Sequence, residues 1–157
     1  MIRLLTLLVL LYSATYAEMH DKNEWEVGMS AGYADLTTED ANGANIHIHL
    51  SKHFESDSFL KYFSYGVGTE AIFSDESHYA LMATVGFHPI EDLTLALSPS
   101  VVWANHEGGW ESMYATHYEA SYVFDVSENF HMGPVIGYSK SSEAEHYTFG
   151  IHIGFSL

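Results

Sequence analysis

His146-Tyr147-Thr148-Phe149-Gly150-Ile151-His152-Ile153-Gly154-Phe155-Ser156-Leu157 closes the chain, and its alternation decides the fold. Tyr147, Phe149, Ile151, Ile153, Phe155 and Leu157 are apolar, and the residues between them are small or polar. Successive side chains of a strand point to opposite faces, so this stretch is one extended strand with a greasy face and a polar face. A helix, with its period of 3.6, cannot sort the pattern.

The same alternation recurs upstream. It predicts seven further strands over about 24–34, 44–54, 61–73, 78–88, 93–103, 112–124 and 130–139. Loops are expected over 35–43, 74–77, 105–111 and 140–145, with turns over 55–58, 89–92 and 125–129. Pro99 falls on the greasy face of the fifth strand and Pro134 interrupts the seventh; Pro99 is expected to mark a bulge or a local break.

Strands of nine to eleven residues suit a tilted crossing of a bilayer. Of the 21 carboxylates, 17 fall in the amino-terminal tail, loops and turns, and Glu24, Glu26, Glu70 and Glu119 fall on the polar parity. None is expected on the greasy side, where a charge costs a few kcal/mol at the bilayer midplane. Lys52 and Lys61 take the greasy parity only near strand ends, where a long stem reaches the interface. Large aromatics such as Trp25, Phe63, Trp103 and Phe155 gather at outer-face strand ends, like two interfacial girdles. A soluble lipocalin-type barrel would turn the greasy face inward around a ligand. Glycine argues against that inversion, because Gly28, Gly66, Gly86, Gly150 and others share the polar parity and suit a narrow lumen.

Residues 1–17 read as a secretory signal, with Arg3, an apolar run from Leu4 to Leu11, and Thr15-Tyr16-Ala17 before cleavage. Residues 18–157 are then a single β-barrel domain without Cys. Past Arg3 the only basic residues are Lys22, Lys52, Lys61 and Lys140, against 21 acidic ones. That balance excludes nucleic acid and favours cations as partners.

On these residues the chain resembles the OmpA/OmpX-type outer-membrane barrels. Its last strand resembles their closing strand, with Leu157 where Phe is usual and Phe155 two places earlier. The turn phrase Gly86-Phe87-His88-Pro89-Ile90-Glu91-Asp92-Leu93-Thr94-Leu95 is similar too. The resemblance implies an all-β, eight-stranded, antiparallel, up-and-down transmembrane barrel in the outer membrane of a Gram-negative bacterium. It implies a monomer with both termini periplasmic, and outer-membrane lipid, lipopolysaccharide, periplasmic chaperones and the barrel-insertion machinery as partners. It brings no catalytic motif.

Nine of the eleven His fall on the inward parity: His47, His49, His53, His78, His88, His117, His131, His146 and His152. Counting from strand ends groups His47, His49, Glu70, His117, Glu119 and His152 in one layer. That is a ligand set for Zn²⁺, Cu²⁺ or Ni²⁺. The plainer alternative is an imidazole–carboxylate network that fills the lumen. His117, Glu119 and Ser121 share one face, as a hydrolase acting on lipid A would require of a base and nucleophile, but that face is the lumen, which an acyl chain does not reach. The function expected is a structural or interaction barrel and not an enzyme. Metal or proton binding or conduction is the alternative reading.

Overall fold

The computed structural model describes residues 25–38, 40–75, 77–106 and 109–157. The strands are β1 (Trp25–Leu36), β2 (Ala41–His53), β3 (Phe63–Phe73), β4 (His78–Ile90), β5 (Leu93–His106), β6 (Gly109–Tyr122), β7 (Phe124–Ser127), β8 (Phe130–Ser141) and β9 (Glu145–Ser156). Each pairs antiparallel with its sequence neighbour except β6 with β7, β9 returns to β1, and β6 pairs with β8. The β6–β8 register continues into β7 at Phe124 and Asp125 and shifts by one only before Ser127, so β6 and β7 are two segments of one stave. The result is a closed, eight-stave, up-and-down barrel without an open edge. The expected signal segment and Glu24 lie outside the described residues.

Inward and outward residues follow the expected alternation. Val67, Leu81, Ile136 and Phe149 are each more than half exposed, while the polar parity is buried. An apolar belt of this extent is incompatible with a water-facing monomer. Aromatic rings pair along both rims. Phe63 packs against Phe87 (5.1 Å) and Phe130 against Phe155 (4.8 Å) at the turn end. At the loop end Tyr138 meets Tyr147 at 5.0 Å and Tyr79 meets Trp110 at 5.6 Å. Lys52 lies 5.8 Å from the Trp25 ring; Lys61, expected to open the third strand, lies instead in a 3-10 turn over Phe59–Tyr62 ahead of β3, 5.2 Å from the Tyr62 ring.

The strands outrun several expected boundaries. Asp35 pairs with Asn42 and Leu36 with Ala41, leaving a β1–β2 connection of only 37–40 in place of the loop 35–43. β5 and β6 likewise extend into the expected loop 105–111. Ladder pairing there outweighs the polar composition from which a loop was expected. One consequence corrects the placement of the carboxylates: Asp35 and Glu145 stand on the outward parity, at the loop-end tips of β1 and β9. Their position beyond the apolar belt makes this affordable.

Of the two outcomes expected at Pro99, the local break is the one observed: on the β4 side, pairing skips from Met82↔Ser100 to Val85↔Leu97 with register unchanged, so there is no bulge. The register shift falls instead between Phe87 and Ile90, around Pro89, which lies inside β4 and not in a turn. The β6–β7 interruption falls opposite Gly133 and Pro134, where Pro134 lacks a donor and a Cβ on Gly133 would lie 1.9 Å from the Tyr122 carbonyl oxygen.

Two small apolar groups fill the loop-end half of the lumen. Ala34, Leu36 and Ile72 form one; Ala80, Met82, Val102 and Ala115 form the other. Below them the interior is polar.

Candidate functional site

The polar lumen is a cavity of about 280 Å³. It extends from His146 and Ser139 down to the turn residues Glu91, Asp92, Glu128 and Asn129. A second space of about 120 Å³ lies at the loop end, and His146 and Ser139 border both. No Lys or Arg lines either space. Buried carboxylates there are offset by imidazoles alone, as the composition requires.

All nine inward histidines line the lumen. The six residues grouped from strand counting do not surround one point; they divide between two levels. At the upper level Glu70 reaches His146 Nε2 (3.4 Å) and His117 Nδ1 (3.8 Å). Ser139 Oγ lies 3.2 Å from His117 Nε2. Beside this group His47 Nδ1 faces Glu119 at 3.4 Å across the lumen from β2 to β6. At the lower level Glu26 receives His49 Nε2 at 3.3 Å, with His131 Nε2 at 3.8 Å and His152 Nε2 at 3.9 Å. His49 and His152 stack with ring centroids 5.3 Å apart, and His47 contacts His49 at 5.2 Å, linking the levels.

Strand counting failed here because tilted staves place equal counts at unequal heights. Register supplies the true neighbours. His49, Gly28, Gly154 and His131 lie on one rung across β2, β1, β9 and β8. Two histidines thus flank two glycines, and their rings lean over the gap. A Cβ on Gly154 would sit 2.1 Å from His131 Nε2, and one on Gly28 2.3 Å from His49 Nε2. Glu26, His131 and His146 belong to the two clusters but were absent from the six. Their inward parity was the signal available; their meeting was not.

The trio His117, Glu119 and Ser121 is not assembled. His117 turns its nitrogens to Glu70 and Ser139, and Glu119 turns to His47. Ser139, His117 and Glu70 do stand in the order nucleophile, base, acid. However, 3.8 Å is too long for the acid–base hydrogen bond, and Ser139 is only 3% exposed.

No protein-family profile matches the sequence, and comparison with curated proteins gives no match. Solved structures do match. The crystal structure of Neisserial surface protein A (NspA) superposes with a TM-score of 0.60 at 11% identity, covering 85% of this chain and 96% of that one. The N-terminal β-barrel domain of Pseudomonas aeruginosa OprF gives 0.57 at 14%, covering 87% and 98%. A de novo designed transmembrane β-barrel gives 0.52 at 14%, covering 88% and 98%. The chain has the closed, eight-stranded, antiparallel fold of the small outer-membrane barrels.

Proposed function

We propose that this protein resides in a Gram-negative outer membrane as a small structural or interaction barrel, and that it is neither an enzyme nor a diffusion pore. One observation carries this reading: an apolar belt bordered by aromatic rims encloses a lumen that its own side chains crowd at the loop end. Eight staves leave a narrow interior, and the apolar groups around Leu36 and Met82 separate its polar cavity from the loop end. The loop-end connections 37–40, 74–77, 107–108 and 142–144 are short, which leaves little surface for a large protein partner. Outer-membrane lipid and lipopolysaccharide are the natural contacts, reached by the belt and by acidic loop-end residues through bridging divalent cations.

The test is expression of the full chain in a Gram-negative host, followed by membrane fractionation and unheated gel electrophoresis. A band in the outer-membrane fraction that shifts on boiling supports the reading. A soluble periplasmic product overturns it.

A further inference from the structure

The lumen brings a carboxylate and two imidazoles together twice: Glu26 with His131 and His152, and Glu70 with His117 and His146. In each group one ligand atom per residue lies within 4.8 Å of the others. We propose that the lower group is a binding site for one divalent transition-metal ion of the zinc class. Glu26 and the Nε2 atoms of His131 and His152 are its three ligands, and the fourth position opens on the cavity.

Geometry is the first argument. Metal–ligand bonds of about 2.0–2.1 Å in a tetrahedron place ligand atoms about 3.3 Å apart. His131 Nε2 and His152 Nε2 are 3.3 Å apart, and each lies within 3.9 Å of a Glu26 oxygen. With one carboxylate oxygen taken as the ligand, the three atoms lie within 4.8 Å of one another, and side-chain rotation of Glu26 and the two rings closes the triangle. Two nitrogens facing each other share at most one proton between them, whereas a metal ion engages both lone pairs.

The surroundings orient these ligands as second partners do in metal sites. Ser30 Oγ lies 3.2 Å from His152 Nδ1, which directs Nε2 into the site. His49 Nε2 meets Glu26 Oε1 at 3.3 Å, and its ring stacks on His152. Gly28 and Gly154 leave the space that the rings occupy; a side chain at either would displace them.

Access and charge favour the lower group over the upper. The side chain of Glu26 is 22% exposed and that of His131 14%, both toward the cavity. The cavity mouth carries Glu91, Asp92, Asp125 and Glu128. Such a ring of carboxylates concentrates cations. The upper group is closed: Glu70 and His146 are below 10% exposed, and Ser139 occupies the other face of His117. Imidazole with carboxylate selects Zn²⁺, Cu²⁺, Ni²⁺ or Co²⁺ over Mg²⁺ or Ca²⁺. This site goes beyond the structural role proposed above and does not depend on it.

The experiment uses barrel purified in detergent from membranes of cells expressing the full chain, stripped with chelator and offered Zn²⁺. Wild type and His117→Ala/His146→Ala should each retain one equivalent after desalting. His131→Ala/His152→Ala should retain less than about a tenth of that. Folding of each is read from heat-modifiable migration. Folded wild type without stoichiometric zinc, or zinc kept by the lower-pair variant, overturns the proposal. If that variant does not fold, Co²⁺ added to the wild type decides. Intense visible bands of four-coordinate cobalt support the site, and the pale six-coordinate spectrum overturns it.

Discussion

His131 and His152 point their Nε2 atoms at one another from adjacent strands, 3.3 Å apart, although their backbones are not partners. His131 pairs with Gly154, and His152 with Gly133. The contact is diagonal, and it exists because each ring leans over a residue without a Cβ.

Gly154→Ala should therefore act on the site from the next strand. Its new methyl would lie 2.1 Å from His131 Nε2, and the ring must swing away. Zinc retention should fall about tenfold, the scale of losing a positioning contact. Metal analysis of the desalted barrel, with migration as the folding check, reads the effect.

Glu70 is the buried anchor of the upper cluster, facing His146 and His117. Glu70→Ala leaves two imidazoles without their carboxylate and should destabilise the barrel by about 3 kcal/mol. Glu70→Gln, which keeps a hydrogen-bonding oxygen, should cost less. Urea unfolding in lipid vesicles, followed by tryptophan fluorescence, gives both values.

The outer face should show a depth dependence that no water-soluble barrel shares. Val67 sits mid-strand and Phe73 at the loop end of the same strand, both outward. Val67→Arg should cost about 2–4 kcal/mol and Phe73→Arg about 0–1 kcal/mol. Equal costs in vesicle unfolding would contradict a membrane-facing belt.

At the loop end, outside the apolar belt, Lys140 bonds Glu145 across the β8–β9 hairpin. The hydrogen bond from Lys140 holds the Glu145 carboxyl below its usual range, and the same bond raises the Lys140 ammonium. A depressed acid stabilises above its unfolded value and loses that contribution as pH falls through the folded value. A raised base stabilises below its unfolded value and loses it as pH rises through the folded one. The pair is thus complete at neutral pH and fades only toward strong acid or strong base. Both groups face solvent, so Lys140→Met should leave the thermal midpoint at physiological salt unchanged within error.

Ser139, His117 and Glu70 provide a check on the absence of catalysis. A fluorophosphonate probe, which reports activated serines, should leave the folded barrel unlabelled, because Ser139 is buried and its base is poorly aligned. Labelling lost in Ser139→Ala would reverse that reading.

Much of the fold was legible in the period-2 pattern. The closing strand His146–Leu157 and its seven predecessors could be written from alternation alone, since a buried face and a lipid face each impose a parity. Asp35, Pro89 and Pro99 mark the limits of that reading. Local composition suggests a loop or a break; at Asp35 a ladder partner on each side, Asn42 and Tyr147, holds the strand together, at Pro99 only the β6 partner Thr116 does, and at Pro89 the ladder is interrupted. The site was legible only in kind. Parity sent nine histidines inward, and the absence of Arg past Arg3 left them to balance Glu26, Glu70 and Glu119.

What the sequence determined by itself was therefore the set of groups that the lumen contains and the direction each faces. Which carboxylate meets which imidazole was decided by the tertiary structure. Barrel closure fixes the register of every stave against the next, and strand tilt turns equal sequence counts into different depths. Glu26 thereby reaches His131 and His152 at one end of the chain's own lumen, while Glu70 reaches His117 and His146 at another. No local pattern encodes those distances, because each depends on residues more than twenty positions apart being brought onto neighbouring rungs.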